Sequence, residues 1–378
     1  MRGYIRKRGS SWLVTVSAGF DPATKKRIQR YATAATPEDA ERERTRLLRE
    51  LDTGLNVDPG KLTLGRYLFD HWLPHAATRV KGRTLHRYRQ LLRVHIVPSL
   101  GAVKLAKLRP AHIQAALDKM GTAPRTKVQT YRVLSAALRQ AVRWQILATN
   151  PAAAASPPRP GRPKLHVPSA DALGRLLEAS DGWFEVALTV LVSTGMRRGE
   201  ALALQWQSVD LNTGLARITQ SVEAVGQQLS FGTPKTDRAR RAVSLPGGTV
   251  ALLKRWHKDQ LERRMLLGAE WQPTDLVVER GDGYPIHPDV LSRRFQRLTV
   301  RLGMAGVRLH DLRHWYATEC LKAGVHPKVV SEALGHSSVA FTMDVYSHLL
   351  PTMQAQASAA IEMALGVGKV WADPPLPT

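Results

Sequence analysis

Residues 310–346 read HDLRHWYATECLKAGVHPKVVSEALGHSSVAFTMDVY, and four side chains in this stretch suit phosphate chemistry. His310 and Arg313 are three residues apart, so they share one face if the segment is helical. His336 follows in the tripeptide LGH, and Tyr346 comes ten residues later. An arginine neutralises phosphate oxygens, an imidazole exchanges protons near neutral pH, and a phenol can act as a covalent nucleophile. The stretch therefore predicts a site for phosphoryl transfer.

Two further motifs lie upstream of this stretch. Arg197 is the fourth residue of TGMRRGE, and Lys235 lies in GTPKT. Together with the four groups above, they form a set of six positions in fixed order. This set resembles the catalytic residues of the tyrosine recombinases, the phage integrase family, and all six positions carry the usual residue types. The resemblance covers nearly the whole chain and is strongest over residues 168–350.

The length and composition indicate a globular chain of several domains. Its 378 residues are enough for two or three domains, and 43% of them are hydrophobic, which is too many for a disordered chain. No apolar run reaches the roughly 18 residues of a transmembrane helix, and the N-terminus lacks the apolar core of a secretory signal. A single cysteine, Cys320, allows no internal disulfide and fits a reducing compartment. We therefore expect a cytoplasmic protein without a membrane partner.

The charge of the chain is strongly positive and unevenly distributed. The net charge is +24, and residues 61–164 contain 20 lysines and arginines but only two acids, a net +18 of that total. A net positive charge by itself favours any polyanionic partner, including DNA, RNA or an anionic membrane surface. Its concentration in one segment favours a binding face over a merely soluble basic surface.

Residues 1–58 are expected to form a small domain of three antiparallel strands followed by one helix. Short alternating runs are separated by turn residues, and Thr36-Pro37-Glu38-Asp39 has the residue types of a helix start. This arrangement resembles the arm-type DNA-binding module of many phage integrases. The residues that would contact DNA are Arg6, Lys7, Arg8, Lys25 and Lys26. A generic small domain without DNA contact is the alternative.

Residues 59–150 are expected to be all-helical. Leu85, Tyr88, Leu92 and Ile96 recur at helical spacing and should face a core. A bundle with basic outer faces resembles the SAM-like core-binding domain of the same family, which forms one half of a clamp around the duplex. The residues expected to meet phosphate are Lys81, Arg83, Arg87, Lys127, Arg132 and Arg139. Any one of them could equally be a solvated surface residue.

The remaining chain is expected to contain the catalytic domain. Residues 151–167 are rich in proline and alanine and predict a flexible basic linker that cannot sustain a helix. Residues 168–365 mix helices with three short strands, and Lys235 would lie between the second and third of them. Residues 366–378 are interpreted as a loose tail. The predicted fold class is multidomain α+β: a three-stranded sheet with a helix, an all-α domain, and a mainly α catalytic domain with a small antiparallel sheet.

The resemblance implies a role for each of the six positions. Tyr346 would be the nucleophile, since it alone follows LGH at the spacing of the family, and Tyr316 is assigned to packing. Arg197 and Arg313 would clamp the non-bridging phosphate oxygens. The pattern T-G-x-R-x-x-E selects Arg197 over Arg198, and it makes Glu200 the partner that holds the guanidinium. A surface Arg–Glu pair at helical spacing would look identical.

The proton-transfer groups follow from the same resemblance. Lys235 would protonate the leaving 5′-oxygen from a β-hairpin that also contacts DNA through Arg240, and Arg238 and Arg241 would add to the positive charge of this turn. His310 would act in proton transfer or bind the phosphate, and His336 would hydrogen-bond the phosphate or orient the site. Isolated histidines are more often structural.

No metal or nucleotide cofactor is expected. His310 and His314 are four residues apart, but the glutamate of an H-E-x-x-H motif is missing and the intervening arginine would repel zinc. The sequence also lacks a Walker loop, a dinucleotide fingerprint and a cysteine cluster.

The resemblance implies a site-specific integrase of a phage or integrative mobile element. It would cut and rejoin double-stranded DNA through a 3′-phosphotyrosyl link without a high-energy cofactor. Strand exchange would occur in a homo-tetramer on DNA that forms from free monomers, with an excision factor and a host DNA-bending protein as candidate partners. Two alternatives from other classes are a type IB topoisomerase that relaxes supercoils and a catalytically silent DNA-binding regulator.

Overall fold

The structure is a computed structural model, and it describes residues 3–20, 27–53, 61–161, 166–233, 240–336, 338–340, 343, 358–359 and 361–365. The chain divides into two compact units, residues 1–162 and 163–378. The described residues include no helix that is both long and apolar enough to cross a membrane. The predicted α+β fold class is confirmed, with helices predominating over small antiparallel sheets.

A three-stranded antiparallel sheet opens the first unit. Its strands are β1 (Gly3–Arg8), β2 (Ser11–Phe20) and β3 (Arg27–Ala34), in the order β1-β2-β3, followed by helix α1 (Pro37–Thr53). Thr36 begins α1 as predicted, because its hydroxyl accepts the backbone N–H of Asp39 at 3.1 Å. Val14 and Val16 of the central strand are buried together with Ala40 and Leu47 of α1. Helix α1 therefore covers one face of the sheet.

The rest of the first unit is a helical bundle. Its helices are α2 (Leu64–Arg66), α3 (Leu73–Ala77), α4 (Gly82–Leu91), α5 (Val97–Leu100), α6 (Pro110–Lys119) and α7 (Pro124–Arg143), with π-helical turns at Tyr67–Trp72 and Leu92–Ile96 and a 3-10 turn at Leu105–Lys107. Leu92 and Ile96 are fully buried as predicted, and Leu85 and Tyr88 pack against the core from its edge. Apolar residues at helical spacing thus form one continuous core.

The beginning of the predicted linker is packed structure. Residues Pro151–Ala154 form a 3-10 turn, contrary to the expectation that this composition sustains no helix. Ala152 is fully buried in the bundle core, and its carbonyl accepts the hydroxyl of Tyr131 at 3.0 Å. Asn150 starts the turn by accepting the N–H of Ala152 at 2.9 Å. Small alanine side chains fit against α7, and this burial outweighs the weak local propensity.

Up to residue 336, the described residues of the second unit form seven α-helices and five strands. The helices are α8 (Ala170–Glu178), α9 (Gly182–Thr194), α10 (Arg198–Ala201), α11 (Gly247–Leu267), α12 (Pro288–Arg301), α13 (Asp311–Lys322) and α14 (Pro327–Leu334), with 3-10 turns at Trp206–Ser208 and Gly268–Glu270. Ser169 caps α8 as predicted, by accepting the N–H of Ala172 at 3.2 Å. The apolar α9 forms the centre of the core, with Phe184, Leu188 and Leu191 buried.

The strands of this unit form two small sheets. They are β4 (Val209–Asp210), β5 (Leu215–Ile218), β6 (Ser221–Val225), β7 (Gln228–Gly232) and β8 (Arg241–Ser244). One sheet has the order β4-β5-β8, and β6 and β7 form a separate hairpin. The prediction of three strands was therefore incomplete, because β4 and β6 were missed. Gly226 makes the β6–β7 turn possible with a φ of +62°.

Candidate active site

Arg197 is positioned by the turn that joins α9 to α10. Gly195 ends α9 with a φ of +63°, a left-handed conformation that glycine adopts without strain. Glu200 accepts the backbone N–H of Arg197 at 2.9 Å and its Nη1 at 2.7 Å. The Arg197 side chain is 41% exposed, whereas that of Glu200 is 3% exposed. A buried carboxylate therefore holds one edge of a guanidinium that is still accessible to a ligand.

Arg313 is the buried counterpart of Arg197. It lies in the first turn of α13 and is only 4% exposed. Its Nη1 donates to the carbonyl of Gly195 at 2.7 Å, and its Nη2 donates to the carbonyl of Leu334 at 2.5 Å. The Nη2 of Arg197 donates to the next carbonyl, that of Gly335, at 3.0 Å. The two arginines thus meet at the end of α14, where carbonyls without a helical partner carry partial negative charge.

The LGH tripeptide forms this helix end. Gly335 caps α14 in the left-handed region, with φ +63° and ψ +47°. The backbone N–H of His336 then donates to the carbonyl of Ser331 at 3.0 Å. The turn therefore places His336 directly after the two carbonyls that hold the arginines.

Two neutral histidines accompany the arginines. Loss of hydration, followed by the charges of Arg313 and Arg197, lowers the pKa of His336 to about 3. Loss of hydration, followed by His314 and Arg313, lowers the pKa of His310 to about 4, although one side of His310 is exposed to solvent. The rings of His310 and His314 meet edge to face with their centroids 5.0 Å apart. His310 and His336 are therefore uncharged at pH 7.

A third arginine, Arg241, joins this cluster. Arg241 was expected to add to the positive charge of the turn around Lys235; its side chain is only 6% exposed and lies against Glu200. Val243 and Leu245 are buried, so alternation along the strand puts Arg241 on the buried face. This alternation could have identified Arg241 from the sequence.

The other predicted site residues fall into three groups. Lys235, Tyr346, Lys25 and Lys26 lie outside the described residues. Residues that are exposed at the surface are Arg6, Lys7, Arg8, Lys81, Arg83, Arg87, Arg132, Arg139 and Arg240. Lys127 is half-buried, and its Nζ donates to the carbonyl of Asp118 at 3.2 Å. Within the described part of the chain, no cluster of three or more histidine, cysteine or acidic residues could hold a metal ion.

An exposed basic stripe runs along α7. Its members recur at spacings of three and four residues and are all exposed: Arg125, Gln129, Arg132, Ala136, Arg139 and Arg143. The stripe continues onto α4, because Nη2 of Arg87 donates to the side-chain oxygen of Gln129 at 3.2 Å. The described stripe contains no acidic residue, so it presents a surface of one charge sign.

Sequence profiles of two domain families match this chain. The Phage integrase family matches residues 169–353, and the N-terminal SAM-like domain of phage integrases matches residues 66–121. The first match contains the whole arginine and histidine cluster described above. The second lies within the helical bundle.

Full-length relatives and solved structures agree with these matches. A XerC-like tyrosine recombinase of Caldanaerobacter subterraneus is 27% identical and covers 94% of this chain and 96% of its own length. The ICEBs1 integrase of Bacillus subtilis is 26% identical over 92% of this chain and 96% of its own. The Tn1549 transposon integrase, solved with transposon right end DNA, has a similar fold with a TM-score of 0.66 at 17% identity, covering 79% and 99% of the two chains. A lambda integrase tetramer bound to a Holliday junction has a TM-score of 0.57 at 19% identity, covering 91% and 94%.

Proposed function

The chain belongs to the phage integrase family, and from this premise we propose that it is a site-specific recombinase of a phage or integrative mobile element. Its substrate would be duplex DNA, which it cuts and rejoins through a 3′-phosphotyrosyl link at Tyr346. The observation that carries the proposal is the meeting of Arg197 and Arg313 at the end of α14, beside two neutral histidines. Such a cluster suits a phosphate whose charge grows in the transition state.

The arginines would act as the phosphate clamp. Arg313 is fixed by two carbonyls, and Arg197 is fixed by Glu200 and one carbonyl. Guanidinium groups held in this way need no reorganisation when the phosphorus becomes pentavalent, so they stabilise that state more than the ground state. Each would contact one non-bridging oxygen.

The covalent step would move two protons. The Oη of Tyr346 attacks phosphorus, the bond from phosphorus to the 5′-oxygen breaks, and the phosphate becomes esterified to the tyrosine. Neutral His310 accepts the tyrosine proton, and Lys235 donates a proton to the 5′-oxygen. His336 donates to a phosphate oxygen. Because the tyrosyl ester keeps the bond energy, the 5′-hydroxyl of another strand can reverse the step without an external energy source.

We assign DNA contacts to three parts of the chain. Residues 1–58 would bind arm-type sites, residues 59–150 would grip the core site, and residues 168–365 would carry the chemistry. The basic stripe on α7 supports the second assignment, because arginines at helical spacing can meet successive phosphates. Contacts of this kind position a protein on DNA without reading sequence.

The assembly is proposed by analogy with the relatives. A homo-tetramer would hold two duplexes and exchange strands between them, with an excision factor or a host DNA-bending protein setting the direction. Its duplex DNA substrate would lie in the bacterial cytoplasm, so the chain would act there. No metal or nucleotide is needed for this chemistry.

A covalent-adduct assay tests the proposal. Duplex DNA from the ends of the element is nicked beside the cut, so that the released fragment diffuses away and the adduct accumulates. Wild type and Tyr316→Phe should form the adduct on a denaturing gel, and Tyr346→Phe should not. Tyr316 is the matched control because it lies on α13 yet packs against Gly195.

Three results would contradict the proposal. Adduct formation by Tyr346→Phe would move the nucleophile to another residue. Binding on a native gel without any adduct in wild type would favour a DNA-binding regulator. Relaxation of supercoiled DNA without joining of two sites would favour a topoisomerase.

A further inference from the structure

Arg241 bridges two parts of the active-site cluster from a buried position. It is the first residue of β8 and pairs in register with Ile218 of β5. Its Nη2 lies 2.9 Å from Oε2 of Glu200, and its Nε donates to the carbonyl of Ala333 at 2.5 Å. The side chains of Arg241 and Glu200 are 6% and 3% exposed. Burying a cation to this degree destabilises the fold unless its hydrogen-bond partners offset the lost hydration, so both contacts are needed to keep Arg241 buried.

The first contact completes the partners of Glu200. One oxygen of this carboxylate accepts Nη1 of Arg197, and the other accepts both the backbone N–H of Arg197 and Nη2 of Arg241. Burial raises the pKa of Glu200, but the hydrogen bond and charge of Arg241, followed by Arg197, outweigh burial and leave the pKa below its usual value. Without Arg241, Glu200 would lose one of its two cations. Glu200 would then be less fixed, and its hydrogen bonds to Arg197 would be weaker.

The second contact fixes the end of α14. Three consecutive carbonyls there accept three guanidinium groups: Ala333 accepts from Arg241, Leu334 from Arg313, and Gly335 from Arg197. The helix end, whose last carbonyls have no helical partner, supplies acceptors and partial negative charge for all three. Arg241 contacts the one of these three carbonyls, that of Ala333, that is farthest from His336 in the chain. It anchors the last turn of α14 to β8.

We propose that Arg241 is a positioning residue that holds Arg197 in its phosphate-binding orientation through Glu200 and through the end of α14. It would not touch DNA itself, because its side chain is buried against Glu200 and Ala333. The inference rests on the proposed function, since it concerns the orientation of a phosphate ligand. Its loss should therefore slow cleavage without weakening DNA binding.

The test measures single-turnover cleavage of the nicked duplex at saturating protein. Arg241→Met keeps the length of the side chain and removes its charge, and it should lower the rate by about 10- to 100-fold, as expected for partners that orient a reacting group. Arg241→Lys should lower the cleavage rate less than Arg241→Met does, because an ammonium can keep one of the two contacts. Arg217→Met is the matched control on the neighbouring strand, where Arg217 is exposed, and it should cleave like wild type.

A second readout separates positioning from general damage. Methylphosphonate DNA replaces one non-bridging oxygen by a neutral methyl group, so the arginine that faces that oxygen becomes less important. One stereoisomer should bring the cleavage rate of Arg197→Ala closer to that of wild type. The same stereoisomer should bring the rate of Arg241→Met closer to wild type, and the other stereoisomer should not. A merely misfolded variant would be equally slow on all three substrates.

Two results would overturn the inference alone while wild type forms the adduct: Arg241→Met cleaving like wild type, or the same deficit on the phosphodiester and both methylphosphonates. Wild type that binds the duplex but forms no adduct would overturn the proposed function and this inference with it. A folded Arg241→Lys variant, checked by thermal melting, gives the same comparison if Arg241→Met does not fold.

Discussion

Arg197 and Arg313 donate to adjacent carbonyl oxygens, those of Gly335 and Leu334, at the end of α14. The two arginines come from separate helical regions, and each has a second anchor, Glu200 for Arg197 and the carbonyl of Gly195 for Arg313. One helix end therefore sets the spacing between two cations. A phosphate held by both would be bound by groups that are already in place.

Arg313→Lys should lower the single-turnover cleavage rate by about 10²- to 10³-fold, the effect of losing one fixed donor in the transition state. A single ammonium cannot span the carbonyls of Gly195 and Leu334 and also reach a phosphate. DNA affinity should change little. Arg297→Lys, at an exposed position on α12, is the control and should cleave like wild type. Unchanged cleavage by Arg313→Lys would remove Arg313 from the clamp.

Gly195→Ala should destabilise the second unit by about 1–3 kcal/mol, because a left-handed alanine is strained and has no room. The added Cβ would lie 2.6 Å from Cδ1 of Tyr316 and 2.8 Å from Cδ2 of Leu334. Gly174→Ala in α8 is the control with the opposite sign, since it meets no atom within 4 Å and should stabilise the helix by about 0.5–1 kcal/mol. Urea unfolding measures both. If both substitutions changed the free energy of unfolding equally, Gly195 would not be a strained, closely packed position.

The free energy of unfolding should decrease as pH decreases below about 6.5, because the folded chain disfavours the protonated form of His336. Its pKa of about 3 lies below the value of about 6.5 in an unfolded chain. Between these values the unfolded chain binds the extra proton, so the free energy of unfolding falls as pH falls. His336→Gln should reduce this loss when urea unfolding at about pH 4.5 is compared with about pH 7. An NMR titration of His336 near pH 6.5 would contradict the prediction.

Arg132→Gln and Arg139→Gln should each weaken DNA binding and reduce the salt dependence of binding by about one unit of slope, because each removes one phosphate contact. Cleavage at saturating protein should be unchanged, since neither residue belongs to the arginine cluster. Lys254→Gln removes one exposed charge from α11, a helix of the second unit, and is the control. The same change in slope for all three variants would indicate a general charge effect.

Deletion of residues 351–378 should preserve DNA binding and single-turnover cleavage but abolish recombination. Residues 361–365 are helical, and Ile361, Met363 and Leu365 are 61%, 85% and 67% exposed. We expect these apolar side chains to dock on a neighbouring subunit during assembly. Native gels, adduct assays and a two-site recombination assay measure the three activities. Full recombination by the shortened chain would refute this role.

The sequence by itself determined the fold class, the family and much of the local structure. Alternation and turn residues predicted the sheet of β1 to β3, and helical periodicity predicted the core positions Leu92 and Ile96. The cap residues Thr36 and Ser169 marked two helix starts correctly. These features depend on residues close together in the chain, so local patterns are enough to predict them.

Only the tertiary structure decided how distant residues meet. It made Arg241, expected only to add positive charge to the turn around Lys235, a buried partner of Glu200, and it packed Ala152 of the expected linker into the bundle core. It also brought Arg241, Arg313 and Arg197 to three consecutive carbonyls of one helix end. The physical reason is that the free energy of a buried charge or a packed alanine depends on what surrounds it. Those surroundings come from segments that are far apart in the chain.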